Sequence, residues 1–444
     1  TKEETIVKKI ALTLVLCLAL IPLQGQKQVK DEPSFIPQSL VINIEVPVRV
    51  FRNGRFEDTL TIKDFEVLEN GQQQKIEAVY LIKKNTVTRS EEKHRYLPQT
   101  QRTYYLFFQI SDYDSRLEEG FRYFLDTIIV PGDNLYVVSP LKTYKLRDKA
   151  LDVKSNEDIV KEVRQLLRKD ALIGSADYRN ASRDLINISK AMATRMKADA
   201  EENPNSTEGA DPYSAAFDNG VAVLGSEGSG GIEFMRQDLD EILLLYEGLL
   251  SKINLLRKID NLRVMDFARH LKMTDGQKYV YLFYQREVMP TIDPAIINRY
   301  LTFYQDNPYI QQTLSSIHNF EHRDIPFDIN LVKQTYADSS AAIHFLFLTK
   351  PMQLISGVSF SEASEDIYSA FRQMALATGG YFESTANPAE GFRNALDAAE
   401  NYYLIYYSPK EYVSDGQFQT ITVKLKNRDL QDLKLVHRAG YIRN

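Results

Sequence analysis

One cysteine, Cys17, and no tryptophan occur among the 444 residues. A single thiol excludes an internal disulfide and a thiolate metal cluster, so core packing must supply the stability. Neither sign of charge dominates: 54 Lys and Arg stand against 60 Asp and Glu, a net of −6 with a pI near 5.7. No basic face for neutralising phosphates is expected from that balance, and hence no nucleic-acid partner. A phosphate-binding loop, a dinucleotide fingerprint and a G-x-S-x-G elbow are also missing, which leads to the expectation that the chain is not an enzyme.

What is present begins with a patterned N-terminus. Lys8 and Lys9 precede an uncharged run of 14 residues, Ile10 to Leu23, and a polar stretch follows from Gln24. A spanning helix needs about 20 apolar residues, whereas a short apolar run behind basic residues is the pattern of a secretory signal. Residues 1–25 are therefore expected to be a signal peptide, removed together with Cys17. A secreted or periplasmic location follows, with no membrane span after removal. Hydrophobic residues at 43% and charged residues at 26% are ordinary for a globular chain, and the length suggests two or three domains.

Residues 39–84 read as β structure. Val41, Ile42, Ile44, Val46, Val48 and Val50 alternate in part, and Asn53-Gly54 and Asn70-Gly71 are strong hairpin signals. Lys83 to Arg102 reads as a polar linker. Beyond it, apolar runs of strand length (Thr103–Ile110, Asn134–Ser139, Lys278–Gln285, Ala341–Leu348, Gly380–Ser384) alternate with helical patterns. One such helix opens with the capping pair Ser155 and Asp158, and another carries Leu239, Ile242, Tyr246, Leu249, Ile253 and Leu256 as a core-facing stripe. Residues 200–233, with Gly-Ser-Glu-Gly-Ser-Gly-Gly at 225–231, read as an exposed flexible insertion. From Asn401 the pattern is β again, over Tyr402–Tyr407, Phe418–Lys426 and Leu433–Tyr441. Tyr402, Tyr403, Tyr406 and Tyr407 offer either core or an amphipathic contact surface.

In their order, several stretches resemble a bacterial family of secreted proteins with a VWFA-related domain, relatives of the von Willebrand factor type A module. They are Asp64-Phe-x-Val-x-Glu-Asn-Gly71, YYLFFQISDYDS with Pro131-Gly132-Asp133, GQKYVYLFYQ, ATGGYFES, YYLIYYSP and Arg438-x-Gly-Tyr441. The resemblance implies an α/β fold: a Rossmann-like domain with a central, mostly parallel sheet at 103–400, inserted into a β-sandwich formed by residues 39–84 and 401–444. It also implies a metal-ion-dependent adhesion site at the carboxyl ends of the strands, where a divalent cation on oxygen ligands accepts a partner's carboxylate.

The expected positions depart from that pattern. Gln109 and Gln285 stand where two carboxylates belong, with Ser111 and Tyr113 in the serine positions. Neutral amides remove two negative charges, so a degenerate site is expected, with Gln109, Ser111, Asp112, Asp114 and Gln285 facing the partner. A modified Mg²⁺ or other divalent site would use Ser111, Asp112, Asp114 and Ser115; otherwise no cofactor is expected. The functional expectation is an exported, non-enzymatic binding protein for another protein or a cell-envelope component. The alternative is a zinc-dependent hydrolase, because His318-Asn-Phe-Glu321-His322 matches H-x-x-E-H, two histidines one helical turn apart beside a glutamate base. Glu390 or Glu400 would then supply a third ligand.

Overall fold

The computed structural model describes residues 42–92, 96–146, 153–202, 239–317, 328–350, 354–426 and 432–443. The expected signal peptide, all but the first residues of the expected insertion, and His318, Glu321 and His322 lie outside them. The chain opens with β1 (Ile44–Arg52), whose alternation buries Val46, Val48 and Val50 completely. Asn53 and Gly54 take φ of 51° and 80°, and this double positive turn leads back into β2 (Arg55–Phe56). The same device at Asn70 and Gly71 joins β3 (Phe65–Glu69) to β4 (Gln72–Gln74). Then come β5 (Ile76–Lys83) and β6 (Thr86–Glu92), the latter within the stretch read as a linker. Its sequence TVTRSEE lacks an apolar face because, among the described residues, it is an edge strand paired to β5 alone.

The middle of the chain runs β7 (Arg102–Gln109), α1 (Leu117–Tyr123), β8 (Asn134–Val138), β9 (Thr143–Leu146), α2 (Asn156–Gly174), α3 (Ala176–Glu202), α4 (Leu239–Leu256), α5 (Asn261–Met273), β10 (Gln277–Gln285) and β11 (Val288–Ile292). Ser155 caps α2, its hydroxyl accepting the Asp158 N–H at 3.2 Å. Next are α6 (Pro294–Phe303), α7 (Pro308–Ile317), α8 (Ile329–Asp338), β12 (Ala341–Leu348), β13 (Val358–Glu362), α9 (Glu365–Ala377), β14 (Phe382–Thr385) and α10 (Pro388–Glu400). Residues 294–317 form two helices, because Asn307 turns the chain and Pro308 starts a new helix. The chain closes with β15 (Asn401–Tyr407), β16 (Phe418–Leu425), β17 (Lys434–His437) and β18 (Gly440–Ile442).

Strand directions overturn the expected fold class. Among the described residues, ten of the fourteen strand pairings are antiparallel. The sheets β17-β1-β15-β5-β6 (with β2 on β1), β18-β16-β3-β4 and β11-β13 are wholly antiparallel. The sheet β14-β12-β10-β7-β8-β9 is mixed, because its edge strand β9 runs antiparallel to β8. The protein is thus mixed α/β with mostly antiparallel sheets, not a Rossmann-like domain with a central, mostly parallel sheet set into a β-sandwich. The reason is physical: apolar alternation reports which face of a strand is buried, not its direction, and short Asn-Gly connections force antiparallel neighbours.

Burial follows from position in the sheets. β15 lies between β1 and β5 with both faces covered. Tyr403, Ile405 and Tyr407 join the core shared with β3 and β16, while Tyr402, Leu404 and Tyr406 pack with Ala78, Tyr80 and Ile82. All four tyrosines are buried, so they are core and not a contact surface. One face of the mixed sheet packs Tyr104, Phe108, Tyr281 and Phe283 against α1, α2 and α10. Its other face packs Tyr105, Val280 and Ile343 against α5, α8 and α9.

Candidate functional site

Parallel pairing aligns the ends of β7, β10 and β12, so the loops that leave them meet. In register, Tyr284 faces Gln109 and Gln285 faces Leu348. Gln285 is the hub of the loop after β7. Its buried side-chain oxygen accepts the Ser111 N–H at 2.8 Å, the Ser111 hydroxyl at 3.0 Å and the Asp112 N–H at 3.0 Å. Three donors use the acceptor capacity of an amide oxygen, so this atom holds the loop and has no lone pair left for a cation. The Ser111 carbonyl is held from the other side by the Ser175 hydroxyl and the Arg179 guanidinium, each at 2.8 Å.

The carboxylates on this loop meet cations of the chain itself. Asp112 accepts Lys350 Nζ at 2.6 Å. Asp114 accepts the Arg116 N–H at 2.9 Å and its guanidinium at 3.1 and 2.7 Å. Partial burial pushes the Asp114 carboxyl up, but the hydrogen bonds and charge of Arg116, helped by Lys350, outweigh it and hold the group below its ordinary range. Tyr113 is pushed up to about 12, first by burial and then by Glu118, so it stays a neutral phenol.

The structure brings Ser111, Asp112, Asp114 and Gln285 together and leaves Gln109 and Ser115 exposed at the margin. Asp112, Asp114, Gln285, Thr349 and Lys350 line one small cleft of about 10 Å³, with Leu348 and Pro388 as its apolar side. Lys350 and Thr349 escaped the sequence reading. The available signal was their place directly after β12, whose strand end the parallel register puts beside Gln285. Among the described residues no group of three His, Cys, Asp or Glu side chains is placed to hold a metal ion. Glu390 instead takes part in the start of α10, its N–H donating to Asn387 at 3.5 Å, and Glu400 meets Lys84 at 3.5 Å. Among the described residues, too, no helix is long and apolar enough to cross a membrane. No family model matches this chain, and no curated protein or solved structure matches it.

Proposed function

We propose that this chain is an exported, non-enzymatic binding protein whose contact face is the loop cluster after β7, β10 and β12. Its partner is another protein or a cell-envelope component, bound without a divalent cation. The observation that carries this reading is the saturated oxygen of Gln285, with Lys350 on Asp112 where a cation would otherwise sit. The motif resemblance to secreted VWFA-related proteins supports the partner-binding part; its implied fold is not retained. The cleft is too small for an organic substrate, and the groups around it are ion-paired rather than poised for proton transfer.

A partner bearing Lys or Arg competes with Lys350 for Asp112, so binding is electrostatic and weakens with salt over a screening length of about 10 Å at 0.1 M. The test immobilises the chain and measures retention of envelope components in EDTA, in Mg²⁺ and across a salt series, for the native chain and Asp112→Asn. Retention is expected to be indifferent to EDTA, to fall with salt and to fall again in Asp112→Asn. Loss in EDTA with recovery in Mg²⁺ overturns the metal-free reading. Stoichiometric zinc that disappears in a His318→Ala, His322→Ala variant overturns the non-enzymatic one.

A further inference from the structure

At the opposite end of the mixed sheet, three cations are buried together. Arg49 from β1, Lys278 from the start of β10 and Arg438 from the turn between β17 and β18 are 4%, 6% and 6% exposed. All three line one cavity of about 10 Å³, the space of a single water-sized sphere, floored by Tyr279 and Thr378. Their hydrogen bonds go to neutral groups. Arg49 donates to the Gly379 carbonyl at 3.0 Å, Lys278 to the Thr274 carbonyl at 2.9 Å, and Arg438 to the Glu45 carbonyl at 2.7 Å and to the Ser340 hydroxyl. Among the described residues, the Nε–H groups of both arginines are buried without a partner.

Other buried arginines in the same fold are treated differently. Arg102, 1% exposed, is clamped by Asp133 at 3.0 and 2.6 Å, and Arg257 is paired with Glu287. Among the described residues, Arg49, Lys278 and Arg438 form no ion pair with a carboxylate. Burying one unpaired charge costs several kcal/mol, and like charges around one void add repulsion to that cost. Aromatic faces offset part of it for Arg49, whose guanidinium lies 6.0 Å from the Tyr279 centroid and 5.8 Å from that of Tyr402. Deprotonating Lys278 would still leave two guanidinium groups, which do not titrate in proteins.

We infer that this cavity binds one small monovalent inorganic anion, of the size of chloride or bromide, among Arg49, Lys278 and Arg438. The small volume favours a single-atom ion over a larger oxyanion. A halide accepts from several N–H donors at once, which suits a cavity lined by two arginines with orphan Nε–H groups, and it offsets the charge. Burial, followed by the Arg438 charge, lowers the Lys278 ammonium to about 8, against the opposing pull of Glu45 and Asp275. A bound anion would raise that value and keep the lysine protonated. The glycines at 379 and 380 follow the lining residue Thr378 and allow close backbone packing next to it. Gly379, at φ +69°, offers its carbonyl to Arg49, and a Cβ on Gly380 would lie 1.9 Å from the Ile343 oxygen.

The experiment uses the full chain prepared in sodium gluconate, an anion too large for the cavity. Exchange into chloride or bromide at constant ionic strength is expected to raise the melting temperature saturably, by about 2 °C. The rise is expected to vanish in Lys278→Met. Crystals grown in bromide are expected to show an anomalous peak among the three cations. Equal melting in all three salts overturns the inference, as does an equal halide increment in the variant. Should Lys278→Met fail to fold, the anomalous map of the native chain decides: no bromide in the cavity, no site.

Discussion

At the carboxyl ends of β7 and β10 the acidic side chains Asp112 and Asp114 face cations in half-exposed ground, whereas at the amino end of β10 three cations lie buried with no carboxylate paired to them among the described residues. The two ends of one sheet thus handle charge in opposite ways. Lys350 and Asp112 are 44% and 53% exposed at the side chain, so water screens both and their pairing is worth little. Arg49, Lys278 and Arg438 have no such screening, and whatever balances them must come from inside the fold or from a bound ion. Half-exposed, screened side chains can exchange one partner for another at small cost. Three buried cations cannot go unbalanced so cheaply, and so they weigh on stability more than on recognition.

If that contrast is right, substitutions at the buried end must weigh far more than those at the open end. The largest effect is expected for Gly380→Ala. Its new Cβ would press on the Ile343 backbone oxygen at 1.9 Å and carbon at 2.6 Å, neither of which can rotate away. Urea unfolding is expected to show a loss of about 4 kcal/mol; a loss below about 1 kcal/mol would mean that this seam is looser than its geometry. Asp133→Asn keeps the shape but removes the charge opposite Arg102, leaving a buried guanidinium half-compensated. A loss of about 3 kcal/mol is expected from the same measurement.

The pH dependence sharpens the comparison further. Lys278 sits at about 8 in the fold against an ordinary 10.5. Between those values the unfolded chain binds more protons, so stability rises with pH across the window. The penalty is fully present below about 8. Arg49 and Arg438 line the same cavity as the ammonium, and the Glu45 and Asp275 carboxylates act on it from nearby. Above about pH 10 the sign reverses, because buried Tyr104 and Tyr281 are held neutral in the fold while unfolded tyrosines ionise. In halide-free buffer the native chain should therefore gain on the order of 2 kcal/mol relative to Lys278→Met from pH 8 to 10. A flat difference between the two would show that Lys278 titrates as an exposed lysine does.

Much of this contrast was hidden in the sequence for reasons that can be named. Strand positions were legible, since NYYLIYY at 401–407 and the Asn-Gly turns at 53–54 and 70–71 carry local signals. Strand direction was not, because the same alternation suits either pairing. Arg49 stands at a polar position of IEVPVRVFR, which reads as a solvent-facing alternation. Only the packing of β1 over the ends of β10 and β12 makes that face internal, and local sequence does not encode it. Likewise the loop Ser111-Asp112 was legible as a site beside Gln285, but Lys350 joins Asp112 from 238 residues away through the register of β10 and β12. Glutamine at 285 signalled a missing charge; its role as the loop's triple acceptor needed coordinates.

The smallest expected effect belongs to Asp112→Asn, and it is the most discriminating at the open end. The substitution removes the charge opposite Lys350 but keeps a side chain of the same size, and the Asp112 N–H still donates to Gln285 at 3.0 Å, so the loop stays in place. Exposed pairs contribute about 0–1 kcal/mol, and the change in unfolding free energy should fall in that range and shrink further in high salt. A loss of about 3 kcal/mol would instead mark Lys350 as structurally required, like the buried cations at the other end. Read together with retention of the partner, the variant separates two roles for the same carboxylate. Unchanged stability with weakened, salt-sensitive retention is what a recognition group produces. Equal losses in both would mean that Asp112 acts by holding the loop, and the contact face would have to lie elsewhere.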